Sequence, residues 1–329
     1  MKKLLLLLPC LLLAGCSLLP APREMEDMAL VRTMGVDASG EELLLTAAPS
    51  RGEETQQARS PTLAGACLRM KGRGEEFLFF GCADQVLVGE ELARRGITPV
   101  LEGLAGDGEL SLGADLWIQE GTAASGAGCF PEQRLETLRR DSALGTAPLT
   151  RTAGEIYADL LDWGTAWVPA LALEEGLLTQ SGYGVLERDR LVGVLRGEAA
   201  GGLELLLGDP RRELLEAGDR RGWLLTADTR CRFRPDGRLL VRCHVVVRLT
   251  EGDPLPRTDD FRRELEGQLT RRIRGTLTEL QRRGTDCAGL GRRAGTLSPI
   301  LWRSLSREWP ERFRTQKTEI QVRVSLRPH

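Results

Sequence analysis

Histidine is almost missing from this 329-residue chain, which has only His244 and His329. That scarcity removes the commonest general base and metal ligand from most of the sequence. There is no H-E-x-x-H, no G-x-S-x-G elbow and no Cys/His pairing for nucleophilic catalysis. Gly103-Leu104-Ala105-Gly106 and the stretch 197–202 lack the strand-to-helix context and the lysine of a phosphate loop. Glu174-Glu175 could be weighed as acid/base carboxylates, but acids in a loop are ordinarily just solvated. Aromatic residues make up 5%, which leaves few to line a ligand pocket. No apolar run beyond the first approaches 18 residues, the length at which a membrane span begins. Catalysis, a metal site and a cofactor are therefore not expected.

What the chain has is a distinctive start, MKKLLLLLPCLLLAGC. Lys2 and Lys3 form a positive n-region. Leu4 to Leu13 is a ten-residue apolar run, and Leu13-Ala14-Gly15-Cys16 places two small residues and a cysteine at a cleavage point. Ten helical residues rise about 15 Å, half of a hydrocarbon core, so this segment is too short to span stably. The four positions resemble the lipobox of bacterial lipoproteins. The expected mature chain begins at Cys16, S-diacylglycerylated and with or without a third, N-linked acyl chain. Two or more palmitate-class chains are what stable anchoring needs. Residues 1–15 read as a signal peptide and 16–23 as the lipidated cysteine and its tether.

Removing Lys2 and Lys3 from 45 basic residues leaves 43 against 47 acidic ones, a net charge of about −4. That balance argues against a nucleic-acid binder and places membrane attachment in the lipid, not in a polybasic patch. Of eight cysteines, Cys10 leaves with the signal and Cys16 is acylated, leaving Cys67, Cys82, Cys129, Cys231, Cys243 and Cys287. Without C-x-x-C spacing or a histidine cluster they do not read as a zinc site. A chain this long does not need a disulfide framework either.

The remainder reads as a mixed α/β (α+β) fold of about three domains, with mixed and antiparallel sheets and packed helices: 24–150, 151–217 and 218–329. Residues 24–32 suit a helical turn or two. The two apolar segments around Asp37-Ala38-Ser39-Gly40 suit a hairpin. Arg51 to Ser60 reads as a loop, Leu63 to Met70 as a helix, and Phe77 to Gly89 as one buried strand with Gly81 at a bulge. Helices follow at Glu90 to Arg95 and Val100 to Leu104, then a strand at Ala114 to Gln119. Gly121 to Gly128 looks flexible, and a helix over Thr150 to Leu161 carries a Thr152/Glu155 capping box. Tyr183 to Leu186 and Leu191 to Leu195 form a tight hairpin, with Leu203 to Leu207 a third short strand. Leu224 to Phe233 and Leu239 to Leu249 flank the turn Pro235-Asp236-Gly237.

In that hairpin Cys231 and Cys243 both fall on the core side, which requires an odd-length loop or a bulge. They read as two buried thiols packing as small hydrophobes, with a disulfide as the alternative. Asp260 to Arg283 is a long amphipathic helix with the stripe Phe261, Leu265, Leu269, Ile273, Leu277 and Leu280. Its arginines 262, 263, 271, 272, 274, 282 and 283 read as a solvated face with internal glutamate partners, or as a contact for anionic headgroups or an acidic partner. Pro299 to Trp309 reads as a second helix and Ile320 to Leu326 as a closing strand.

Several segments together resemble the Ger(x)C family, the lipoprotein C subunits of spore germinant receptors. Met34-Gly35-Val36-Asp37 is similar to the family's opening, and Pro169-Ala170-Leu171 to its interdomain segment. The most specific piece is Phe80-Gly81-Cys82 followed by Val88-Gly89-Glu90-Glu91-Leu92-Ala93 and Gly96-Ile97. Gly182-Tyr183-Gly184-Val185-Leu186, with Asp189 to Gly193 and Glu198, resembles the family's hairpin before a glutamate. Cys82 stands where the family usually has histidine, Ser17 follows Cys16 where an aromatic and Asp are common, and Ala199 to Gly202 dilutes the motif after Glu198. The resemblance implies a non-catalytic lipoprotein, anchored through Cys16 on the outer face of the spore inner membrane. It implies two integral-membrane partners, an A-type and a B-type subunit, acting in nutrient-triggered germination. The rival reading is a substrate-binding lipoprotein of an ABC importer, which would share anchor and size.

Overall fold

The computed structural model describes residues 28–49, 54–72, 77–129, 131–250 and 258–328. Cys16, the signal segment and the tether lie outside them.

Two mixed sheets organise the chain. The first has nine strands in the order β3-β2-β1-β5-β6-β7-β8-β9, with β4 also paired to β1. β1 (Met28–Ser39) and β2 (Glu42–Pro49) form the expected hairpin, closed at Gly40 with φ +62°. β3 (Gln56–Ser60) extends it. β4 (Phe77–Phe79) and β5 (Gln85–Gly89) both run parallel to β1. β6 (Asp115–Gln119) and β7 (Thr165–Glu174) continue the parallel set, and β8 (Leu177–Glu187) and β9 (Arg190–Leu195) add an antiparallel hairpin.

Every residue of β5 and β6 is buried because helices cover both faces of the parallel core. Val86, Val88, Leu116 and Ile118 face α1 (Leu63–Lys71), α3 (Thr98–Gly106) and α6 (Ala153–Trp163), beside α2 (Glu90–Arg95). Leu87 and Trp117 face α4 (Ala123–Ala127) and α5 (Glu132–Ala143). The α6 capping box is present as read from Thr152 and Glu155.

The second sheet has the order β10-β11-β12-β13. α7 (Glu198–Leu207) leads into β10 (Glu213–Ala217), β11 (Arg220–Phe233) and β12 (Leu239–Leu249). α8 (Thr258–Arg283) then crosses, and its six stripe residues are all buried against the sheet and α7. α9 (Leu290–Thr296), α10 (Pro299–Leu305), a 3₁₀ turn at Ser306–Glu308 and α11 (Trp309–Thr315) precede β13 (Thr318–Arg327), which joins β12 in parallel.

Several local expectations fail for physical reasons. Leu203 to Leu207 is helical: α7 is buried nearly all round, so its apolar run shows no period that separates helix from strand. Residues 77–89 form two strands because Phe80 to Ala83 leave the sheet between successive pairings with β1. Met28 to Arg32 is strand, not helix, and Gln56 to Ser60 is an edge strand, not loop. Pro299 to Trp309 is broken by the 3₁₀ turn before Pro310. A bulge between Leu224 and Thr226 shifts the register of β11, so that Leu224 as well as Cys231 and Phe233 reaches the core.

Candidate functional site

The segments that carry the family resemblance are distant in sequence and meet in space at three junctions. At the first, Asp37 at the end of β1 accepts hydrogen bonds from the Ala123 and Ala124 amides, at 2.8 and 2.9 Å. A carboxylate is well placed there, since a helix start presents unpaired N–H groups and the positive end of its dipole. The Thr122 hydroxyl covers the Ser125 amide, so 121–128, read as flexible, is a capped helix. Close approach sets the neighbours: a Cβ on Gly35 would stand 2.8 Å from the Ala123 carbonyl oxygen, and one on Gly89 would strike the Asp37 carboxylate. Gly35, Asp37 and Gly89 are thus one packing unit.

At the second junction Gly96, with φ +145°, leaves room for Asp189 in the β8–β9 turn, and the Ile97 amide donates to the Asp189 carbonyl at 2.9 Å. The Gly89 to Ile97 motif and the Gly182 to Glu198 motif therefore support each other. At the third, Glu198 takes the Arg272 guanidinium at 2.6 Å, and Glu213 of β10 takes its other side. Arg272 is mostly buried, and so is Arg283, which pairs with Glu279. Neither belongs to the solvated face of α8; they tie the helix to its surroundings. A groove of about 580 Å³ lies between α7, β10 and α8, lined by Glu198, Leu215, Gln268, Arg272, Thr276 and Glu279 among others.

Beneath these junctions sit buried polar hubs. Glu204 accepts the Tyr183 hydroxyl at 2.7 Å and the Arg211 amide at 3.1 Å, and burial pushes its carboxyl above the ordinary range. Asp286 accepts the Leu290 and Gly291 amides and the Trp309 indole N–H at 2.8 to 2.9 Å. Burial raises that carboxyl too, against the pull of three donors. Asp286 lies under a cleft of about 310 Å³ between the end of α6 and the α9–α11 segment. Trp163, Trp302, Trp309 and Arg307 line it, and the Arg292 guanidinium lies 4.9 Å from the Trp163 ring.

Each hub is satisfied from within the protein, which marks it as architecture. Cys231 and Cys243 are free and buried, staggered across the ladder because Cys231 faces Val241 and Cys243 faces Thr229. The five-residue loop between β11 and β12 gives the odd spacing that puts both inside. Cys82 is half-buried and His244 lies on the exposed face of the second sheet, bonded to Ser325. Among the described residues no group of three or more His, Cys, Asp or Glu side chains is placed to hold a metal ion. Among them, too, no helix is long and apolar enough to cross a membrane. Composition hides the junctions, since each joins a few glycines and charged residues far apart in sequence; only the resemblance of their segments to a family's motifs points to them.

The model for the spore germination protein N-terminal domain matches residues 22–126, and that for the spore germination B3/GerAC-like C-terminal domain matches 181–329. The crystal structure of the GerBC protein superposes with a TM-score of 0.61 at 16% identity, covering 89% of this chain and 96% of that one. The two share a fold. No curated protein matches the chain.

Proposed function

The chain belongs to the GerAC-like family of spore germination proteins, and from that premise we propose that it is the lipid-anchored C subunit of a spore germinant receptor, without chemistry of its own. The observation that carries this is the pairing of two germination domain models, in order, on a chain whose motif residues serve packing. Gly35, Asp37, Gly89, Gly96, Asp189 and Glu198 all make contacts that join one part of the chain to another. The subunit works as a rigid scaffold on the outer face of the spore inner membrane, held there by acylated Cys16. It couples an A-type and a B-type integral-membrane subunit during the response to nutrients. Among the described residues the two sheets and their packed helices form no pair of doubly wound lobes around a cleft, which speaks against the importer reading.

The test is genetic and chemical together. Spores lacking this protein should lose or slow germination in at least one nutrient, and Cys16→Ala should abolish acylation of the N-terminal peptide by mass spectrometry. Normal germination of the deletion spores across nutrients would sink the assignment. An unacylated native Cys16 would sink the anchor alone.

A further inference from the structure

α10 exposes what helices of this size usually bury. None of its residues is fully buried, Ile300 is 87% exposed, and Leu297 in the preceding turn is 66% exposed. Trp302 faces inward, stacked on Phe233 and edge-to-face with Trp309, which fixes the outward direction of Leu297, Ile300 and Leu301. The surrounding stretch 290–315 carries six arginines against two glutamates, in a chain whose net charge is −2. Arg303 and Arg307 are exposed, and neither forms an ion pair among the described residues.

An apolar ridge bordered by arginine, with tryptophan behind it, has the chemistry of a segment that lies in the headgroup region of an anionic bilayer. Topology puts it at the end of the first sheet where the described chain begins. β1, β5, β6 and β7 are parallel neighbours, so the chain enters β1 at Met28 and β7 just after Trp163 from the same end of the sheet. Three strand spacings separate the two, about 14 Å. Trp163 lines the cleft that Trp302 and Arg307 also line, which places α10 at that end. The twelve residues from Cys16 to Met28 reach at most about 40 Å. A short helix binds a bilayer weakly by itself, but a tether makes the contact intramolecular and raises its effective concentration.

We propose that the Leu297–Ile300–Leu301 ridge, with Arg303 and Arg307, is a membrane-docking surface for an anionic leaflet that orients the body beneath its lipid anchor. This rests on the anchored reading given above. The test uses the full chain made in a lipoprotein-processing host and reconstituted into phosphatidylglycerol vesicles containing acyl-brominated lipid. Ile300→Trp adds one tryptophan on the ridge. Leu177→Trp adds one at the start of β8, opposite Glu174 at the far end of β7, at a residue 65% exposed. The fluorescence added at 300 should be quenched and that added at 177 should not. Quenching at 300 should drop to the 177 level in phosphatidylcholine vesicles, or when Arg303 and Arg307 are both replaced by Glu. Equal quenching at the two positions overturns the proposal, as does quenching at 300 that needs a co-reconstituted membrane protein. Mass spectrometry of Cys16 separates the two readings. An acylated chain unquenched at 300 refutes docking and keeps the anchor, whereas an unacylated chain quenched at 300 does the reverse.

Discussion

Replacing Asp37 by alanine should release a helix 86 residues away in sequence. The carboxylate holds the Ala123 and Ala124 amides, and Ala123 is wholly buried. Losing a helix cap costs about 0.5–2 kcal/mol, and leaving a buried donor unpaired costs about 1–3 kcal/mol. The two descriptions overlap, and water can reach the half-covered Ala124 amide, so about 2 kcal/mol is a reasonable sum. If α4 opens locally, that weakening raises amide exchange across 121–128 roughly 30-fold, at tenfold per 1.4 kcal/mol. Hydrogen exchange by mass spectrometry on the full chain reads this peptide directly. Asp37→Asn keeps one acceptor oxygen and should give an intermediate rate. Gly35→Ala should also loosen the peptide, because its Cβ would stand 2.8 Å from the Ala123 carbonyl oxygen. Wild-type exchange at 121–128 in Asp37→Ala would refute the cap and the account of the Gly-Val-Asp motif built on it.

Burial lifts the Asp115 carboxyl to about 6, against hydrogen bonding from Gln85 and the charge of Arg139. The folded state then holds a proton that the unfolded state releases near pH 4, so stability should fall as pH rises from about 4 to about 6. Asp115→Asn should flatten that slope in urea melts; an unchanged slope counts against it. Among the cysteines, Cys129 is exposed, whereas Cys67 and Cys231 are buried with thiols pushed up to about 12 and about 11. Brief maleimide treatment of the native chain should mark Cys129 and spare Cys67, Cys231, Cys243 and Cys287 until the chain unfolds. A Cys231–Cys243 disulfide in the peptide map would contradict the structure. Arg272→Ala should lower the thermal midpoint more than Glu198→Gln does. Arg272 is mostly buried between two carboxylates, whereas Glu198 is exposed and its pair is screened by solvent. Equal midpoints for the two variants would refute that ranking.

How much was legible depended on whether a segment's environment is one-sided. α8 shows its stripe because one face is core and the other solvent, and all six stripe residues are buried as read. The hairpins at Gly40 and at Pro235 to Gly237 carry turn chemistry in the residues themselves. α7 carries no such pattern, since α8, β11 and β8 of the first sheet all meet it. β3 was missed because an edge strand of Gln, Ala, Arg and Ser has little apolar signal. α4 escapes a local reading because two of its amides are held by Asp37, a residue that its own stretch of sequence does not contain.

By itself the sequence determined the mixed α/β class, the scarcity of histidine, a lipobox-like segment ending at Cys16 and the family resemblance. Each of these resides in residue type and short-range spacing. Tertiary structure alone decided that Asp37 caps α4, that Gly96 yields to Asp189, and that Arg272 is tied to Glu198 and Glu213. It also left Ile300 bare beside arginines at the end of the sheet where the chain enters β1. Those outcomes depend on which surfaces meet across many residues of chain, a pairing set by packing of the whole molecule and not by any local pattern.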